Sequence, residues 1–569
     1  MTGAPEHGIP EPGAPEPGAP EPGASEPGAP EIRGIPLAAA LAAWTAAAPA
    51  AERACDLPVP ELLRRFHPDH RPGGMVTLQA GPSAGAACPA ELAVLLLSDS
   101  LLDDIDIAGA PIRDADVLVL GGGGAGCVAA LTAARAGARV LLATKLRMGD
   151  GNTVMAEGGI QAAIGAEDSL QRHFEDTLRA GHFAADRALV AALVGDGPDC
   201  IRWLIREGMG FDLGDDRQRM GGTLLRKMPG GATAARLLSY RDFTGLEMMR
   251  ALREAVLLTP GITVLDRHPA LELLTDDRGR CGGAVLQDLG QGRLVLVRAG
   301  ATLLATGGAG RLHLAGFPTS NHYGATADGL VLAHRAGARL REMDSFQFHP
   351  TGIAWPPHLE GALVSEAARA AGARLVNGRG ERFVAELAPR DVVAAAMLRE
   401  LAEGRGVRHD GGTGLFLDTP SLEREQPGIL GKRLLTLSHL AHRAGFDPAR
   451  EPFLVRPTLH YQNGGVVIDP AGRTTLPGLL AAGEVTGGLH GRNRMMGNAL
   501  LELVAFGRRA GAAAAADARA ERPRNLGLNH LAGWRRGLLA AGIGLGRKGP
   551  MLFPPYGHVT AEGLLGHAA

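Results

Sequence analysis

Residues 114–145, DADVLVLGGGGAGCVAALTAARAGARVLLATK, restrict the fold more than any other stretch of the chain. An apolar run, VLVL at 117–120, meets Gly121, Gly122, Gly123, Gly124 and Gly126. A stretch with helical spacing follows, and then a second apolar run, VLLA at 140–143. Strand, glycine turn, helix and strand together predict a βαβ unit, with G-x-G-x-x-G read as Gly121, Gly123 and Gly126. Glycines at those positions let the backbone approach a pyrophosphate held at the helix N-terminus. The expected class is therefore α/β, Rossmann-like. The acidic residue that commonly meets the adenosine ribose is absent, and Thr144 and Lys145 stand at the end of the second strand.

At 569 residues the chain exceeds one ordinary core, so two or more domains are expected. A net charge of −2 gives no field for drawing in nucleic acid. The five cysteines (Cys55, Cys88, Cys127, Cys200 and Cys281) are scattered, without CxxC or a ligand cluster. That spacing argues against a disulfide framework, an iron–sulfur centre or any metal site within this chain, and fits reduced cytoplasmic thiols.

Residues 1–34 repeat EPGAPEPGAPEPGASEPGAPE, which offers almost nothing apolar to bury, and read as a disordered tail. GIPLAAALAAWTAAAPAA at 34–51 is uncharged, but Pro36 and Pro49 confine any helix to roughly a dozen residues, too short to cross a bilayer. It reads as a packed or surface alanine helix, within an accessory region spanning 35–112. Leucines in PAELAVLLLSDSLLDDIDI have helical spacing.

Four distant segments carry groups suited to a small dianion. FQFHPTG at 346–352 holds Gln347, His349 and Thr351. SEAARAAGARLVNGRGERFVAELAPRD at 365–391 holds Ser365, Glu366, Arg369 and Arg390. LHYQNGGV supplies His460, and HGRNRMMGN supplies Arg494. A guanidinium can grip a carboxylate bidentately, and the neutral groups beside it can fix its orientation. Glu366 and Arg369, three apart, fall on one helical face, where a plain salt bridge is the ordinary outcome.

Those segments, in that order, together with the glycine turn, resemble the flavoprotein subunit of the succinate dehydrogenase/fumarate reductase family, which includes L-aspartate oxidase. The resemblance runs from about 113 to about 512. It implies a Rossmann-like FAD-binding domain at 113–343 and 459–512, interrupted by an α+β capping domain at 344–458, with an extension at 513–569. It places FAD on Gly121, Gly123, Gly126, Thr144, Lys145, Asn152, Thr153, Gly158, Gly159, Thr306, Gly307, Glu484, Asn498 and Leu500. Covalently flavinylated members carry histidine where this chain has Asn152, so FAD is expected to be noncovalent. His173 and His182 fall outside that position and read as surface residues.

The resemblance further implies Arg390 as proton donor, resupplied through Glu366 and Arg369. Gln347, His349, Thr351, Ser365, His460 and Arg494 are implied on the substrate. The implied reaction is hydride transfer between flavin and a C4-dicarboxylate such as fumarate or succinate. L-aspartate oxidase is the alternative, although Gly497 and Ala499 stand where its members tend to carry serines. A flavin-holding subunit without its own turnover is a third. An iron–sulfur or other electron-transfer partner is implied, and a cytoplasmic location, with membrane association only through partner subunits. Two departures from the family pattern stand out: Arg369 is followed by Ala370-Ala371-Gly372, and Arg492 adds a charge expected at the pocket's edge.

Overall fold

The structure, a computed structural model, describes residues 34–47, 51–52, 57–70, 73–102, 107, 109–214 and 223–553. The repeat at 1–33, Cys55 and the C-terminal 554–569 lie outside the described residues.

The glycine-turn stretch folds as expected: strand β1 (Ile112–Leu120), helix α1 (Gly124–Arg135) and strand β2 (Val140–Ala143). The VLVL run is buried on both faces, as a central parallel strand requires. In the seven-stranded sheet the order is Ile262–Leu265, β2, β1, β3 (Arg293–Leu304), Cys281–Asp288 and Ala270–Thr275. The long β3 serves two layers of pairing. Its first half pairs antiparallel with Cys281–Asp288, while Thr302–Leu304 run parallel to Leu479–Ala481. Its whole length from Leu296 runs parallel to β1. One edge is thus a meander and the other a doubly wound core, and the strands' C-terminal ends converge on the glycine turn.

The chain leaves this layer through β4 (Phe346–Ile353), wholly buried, and returns through β5 (Phe453–Gln462), its antiparallel partner. Between them lie α2 (Glu366–Ala370), α3 (Arg390–Ala402) and the strand Gly412–Asp418, which pairs with β5. This second body has its own core, built from Leu375, Val393, Met397, Leu415, Leu417, Phe453 and their neighbours. From β5 the chain re-enters the first layer and ends it with α4 (Asn498–Ala520), which packs along α1.

The N-terminal residues are built into both bodies. Ile35–Pro36 adds a parallel edge strand beside Val407–His409, and Ala51–Glu52 does the same beside Glu381–Arg382. The alanine helix Leu37–Ala46 lies over that sheet, with Ala40 buried among Val376, Val407 and Phe416. Helix Val59–Phe66 sets Leu62 into the second core against α3. The turn after it lets Asp69 accept the Phe346 N–H at 3.0 Å. Helix Ala90–Leu96 packs instead on the first body, against Asp328–Ala336. Among the described residues, no helix is long and apolar enough to cross a membrane.

Candidate active site

One cavity of about 720 Å³ lies between the two bodies, lined by the glycine turn at one end and by residues of β4, α2, α3 and β5 at the other. Its two ends differ in kind.

The first end is made of backbone. Gly121 has φ +120°, and a Cβ there would stand 2.2 Å from the Ala305 carbonyl oxygen. A Cβ on Gly126 would lie 1.8 Å from the Gly121 oxygen, so this glycine sits behind the cavity and lets α1 meet β1. Gly123, the residue before α1, has no side chain to cap it; the Gly124 N–H donates to Thr153 Oγ1 at 3.2 Å, and the N–H groups that follow in the first turn have no intrahelical partner. Uncapped N–H groups at a helix start are a ready anion site. Thr144, Gly123, Gly158, Gly159 and Gly307 line the same wall. Thr306 does too, and its hydroxyl is buried without a partner among the described residues, as a group awaiting a ligand would be.

Three expectations need correction. Lys145 lines the wall, but its ammonium is spent on Asp328 at 2.7 Å and Thr326 Oγ1 at 2.6 Å. Asn498 turns its side chain away, donating to Thr177 Oγ1 and meeting His173 Nε2 at 3.0 Å; Leu500 and Gly497 line the cavity instead. His173 is accordingly not a surface residue: it is fully buried, and burial pulls its pKa down to about 4.

Asn152 forms the floor of the middle section. Its amide donates to Asn321 Oδ1 (2.7 Å) and Glu484 Oε2 (3.0 Å), and its oxygen accepts the His322 N–H (2.7 Å). Burial raises the Glu484 carboxyl above its ordinary range, although Asn152 and the Gln462 N–H both favour the anion. The glycine cradle, the first-turn N–H groups of α1 and the orphaned Thr306 hydroxyl together fit a bound dinucleotide.

The second end is made of charge. Arg390, at the start of α3, donates from Nε to Glu366 Oε2 at 2.8 Å and from Nη1 to Gln347 Oε1 at 3.0 Å. Arg494 donates to that same Gln347 oxygen at 2.9 Å and lies 4.3 Å over the Tyr461 ring. Gln347 in turn donates to Asn493 Oδ1 and the Arg494 carbonyl, so it braces both guanidiniums from behind the wall. Burial alone would raise Glu366, but Arg390, Arg369 and the Gly230 N–H hold it below its ordinary value.

The i,i+3 spacing delivers its pair, with Arg369 3.3 Å from Glu366, although Arg369 is buried behind the cavity and also donates to the Glu386 carbonyl. His349 and His460 stand 5.2 Å apart, both held far below their usual pKa by burial and then by Arg390. The Thr351 N–H donates to His349 Nδ1 at 3.2 Å, which assigns the imidazole proton to Nε2. Thr351 itself gives its hydroxyl to the Val364 carbonyl and does not reach the cavity. Ser365 lines the cavity as the N-cap of α2.

Arg492 is corrected as well. It pairs with Asp344 at 2.7 Å and does not line the pocket. His182 is exposed as expected, yet its Nε2 lies 2.6 Å from Asp391, the residue after Arg390. Tyr461, Glu502 and His490, a buried network with Tyr461 donating to Glu502 at 2.6 Å, were missed. Only the tyrosine's place beside His460 could have drawn attention to them.

The FAD binding domain family matches residues 116–500. The chain is 42% identical to a subunit of the fumarate reductase (CoM/CoB) of Methanothermobacter marburgensis over 418 residues, 72% of this chain and 73% of that one. It is 41% identical to L-aspartate oxidase of Streptomyces coelicolor over 414 residues, 71% and 68% of the two chains. Among solved structures, the FrdA chain of Escherichia coli quinol fumarate reductase superposes with a TM-score of 0.68 at 33% identity, covering 76% of this chain and 74% of that one. The chain therefore belongs to the FAD-dependent oxidoreductases of the fumarate reductase/succinate dehydrogenase flavoprotein family, which includes L-aspartate oxidase.

Proposed function

We propose that the protein interconverts a C4-dicarboxylate of the fumarate/succinate type, with reduction of the alkene as the faster direction. The observation that carries this is Arg494. It is buried, its Nε has no partner, and no carboxylate lies within ion-pair distance of it among the described residues. Burial and the neighbouring Arg390 pull its pKa down to about 10. A buried guanidinium in that condition is poised for an anion, because a bound carboxylate supplies the counter-charge and the hydrogen bonds it lacks.

FAD, when bound, supplies the hydride chemistry. The chain's own residues do the rest. Arg494 and the neutral imidazoles of His349 and His460 hold the two carboxylates and draw electron density from the double bond. Arg390 delivers a proton to the alkene carbon that does not receive hydride, and Glu366, 2.8 Å from its Nε, returns that proton from the side of Arg369. A guanidinium is a poor acid in water. Here Glu366, ionised at rest, relays a proton that comes from solvent through Arg369 to Arg390 Nε as Arg390 gives up its own, so a neutral guanidine need not persist. FAD is held noncovalently, since the Asn152 amide is committed to Asn321, Glu484 and His322. Electrons reach the flavin from an electron-transfer partner, in keeping with the subunit designation of the fumarate reductase relative.

Steady-state turnover with reduced viologen, against a panel of C4 dicarboxylates and L-aspartate, tests this. Fumarate or a close analogue should be reduced faster than succinate is oxidised. Oxidation of L-aspartate without fumarate reduction would move the protein to the oxidase branch. Acid precipitation of the same protein should release its FAD, and flavin retained on the denatured chain would contradict noncovalent binding.

A further inference from the structure

Arg390, Arg492 and Arg494 are compensated in different ways. Arg390 spends its Nε on Glu366, and Arg492 spends both terminal nitrogens on Asp344. Arg494 has no carboxylate at its edge among the described residues, and its Nη2 donates to the neutral Gln347 side chain. Its compensation comes through its face, where the Tyr461 ring lies 4.3 Å from the guanidinium carbon. The hydroxyl on that ring donates to Glu502 Oε2 at 2.6 Å, and Thr486 Oγ1 and His490 Nε2 reach the same carboxylate at 3.0 and 2.9 Å. Glu502, near the start of α4, and His490 are buried and do not line the cavity.

Burial alone would raise Glu502, but His490, together with hydrogen bonds from Tyr461 and Thr486, holds it below its ordinary value, so it is an anion. Burial, Glu502 and Glu484 push the Tyr461 phenol well above its usual range, so it keeps its proton and stays the donor. A phenol polarised by a carboxylate carries more electron density on its ring, and that face attracts a cation more strongly. The other charged and titratable groups around Arg494 do not supply this. Arg390 on α3 is a like charge, and His349 on β4 and His460 on β5 are held neutral. Glu484 spends its oxygens on Asn152 and the Gln462 N–H, and burial raises it toward its neutral form. A counter-charge at the face costs Arg494 none of its in-plane N–H donors, whereas an ion pair at the edge would occupy them.

Resting on the dicarboxylate function above, we propose that Glu502, acting through Tyr461, is a positioning residue that keeps Arg494 charged from behind and leaves its N–H edge open for a substrate carboxylate. Two demands conflict at one buried guanidinium: it needs a counter-charge, and its donors must remain free. The tyrosine ring reconciles them. An acid at the edge, as Glu366 is to Arg390, can also exchange protons with a guanidinium. An acid behind the face cannot, so Arg494 stays a binding group.

The test uses the FAD-loaded protein, with binding of malonate, an unreactive dicarboxylate, followed by the flavin absorbance change from pH 6 to 10.5, and fumarate turnover alongside. Wild-type Kd for malonate should be level near neutrality and climb toward about tenfold per pH unit above about 10, as Arg494 loses its proton. Glu502→Gln keeps an acceptor for the Tyr461 hydroxyl and removes the charge. Its climb should begin about one pH unit lower, so that at pH 10 it binds malonate about fivefold more weakly than wild type. At pH 7 it should bind as tightly as wild type or tighter, because a negative charge behind the anion site is gone. KM for fumarate should follow the same crossing, with kcat changed less. Tyr461→Phe, which keeps the ring and cuts the bond, should move the climb the same way by less. A climb at the wild-type pH in Glu502→Gln overturns the proposal. So does a Kd raised by one factor at every pH, which would reduce the network to packing. If Glu502→Gln holds no FAD, Tyr461→Phe decides on the same profile; an unmoved climb there, or no FAD again, overturns the proposal. A wild-type protein that binds no dicarboxylate at any pH overturns the proposed function as well, whereas tight malonate binding with an unmoved climb overturns this inference alone.

Discussion

The two ends of the cavity are built by opposite means. At the glycine turn, the architecture depends on atoms that are missing: no Cβ at Gly121 or Gly126, and no side chain on Gly123, the residue before α1. At the far end it depends on charge that is present and under-compensated. Arg390 and Arg494 share one glutamine oxygen, and Glu366 is the one carboxylate in ion-pair contact with Arg390 among the described residues. A backbone cradle tolerates almost any charge nearby but no added volume. A buried charge cluster tolerates changes of volume far better than the loss of a partner. The two ends should therefore fail in different ways.

The largest effect is expected at the cradle. Gly126→Val forces atoms into a space where even a Cβ would lie 1.8 Å from the Gly121 oxygen, so α1 and β1 cannot keep their spacing. The purified protein should carry no FAD by absorbance and should lose cooperative unfolding. Yellow, stable Gly126→Val protein would break the contrast at its first term.

Next is Arg390→Gln, which should leave FAD content near wild type while turnover falls by about 10²–10⁴ or more, the scale of general acid catalysis. Glu366→Gln should fall less, because the final donor remains and only its resupply is slowed. If Arg390→Gln keeps most of its turnover while Glu366→Gln is dead, the proton comes from another group. Arg494→Ala sharpens the same comparison from the binding side. KM for fumarate should rise about tenfold to a hundredfold, the value of one charged hydrogen bond, with a smaller loss of kcat. A pure kcat effect would show that Arg494 acts only in the transition state.

The same division explains what could be read in the sequence. Glycine spacing reports directly on backbone geometry, so β1, α1 and the cradle were legible from residues 114–145. His349, Ser365, Glu366, Arg390, His460 and Arg494 were legible as a set because their segments carry family motifs, and the fold brings all of them to one cavity wall. What failed was side-chain direction. Lys145 and Asn498 occupy the anticipated positions but point at Asp328 and Thr177, since each satisfies its polar groups more locally than at the cavity. Arg492 is neutralised by Asp344, a partner 148 residues away that no local pattern announces. The N-terminal region was opaque for a related reason. Two-residue edge strands such as Ile35–Pro36 have no periodicity of their own, and their register is set by the strand they join.

The smallest expected effect probes how far the charged end extends. His182 belongs to the flavin-binding body and Asp391 to α3, so their 2.6 Å contact ties the two bodies together one residue from Arg390. The hydrogen bond to Asp391 raises His182 above its usual pKa, against partial burial and the positive Arg492. With the folded value raised, the contribution of the contact is complete below the unfolded value near 6.5 and fades as pH climbs through the folded one. His182 is well exposed, so screening keeps the pair weak, and its loss should lower kcat by only about two- to fivefold. His182→Gln should show that loss at pH 6 and converge on wild type at alkaline pH, with FAD content and KM unchanged. Its neighbours His67 and His70 are held below their usual values, chiefly by burial, so titration of those rings should fall lower in pH and remain separable. A variant indistinguishable from wild type at pH 6 would confine the charged end to the cavity wall. A loss that is equal at every pH would mean His182 acts through packing, because only the ionised pair disappears as the proton leaves.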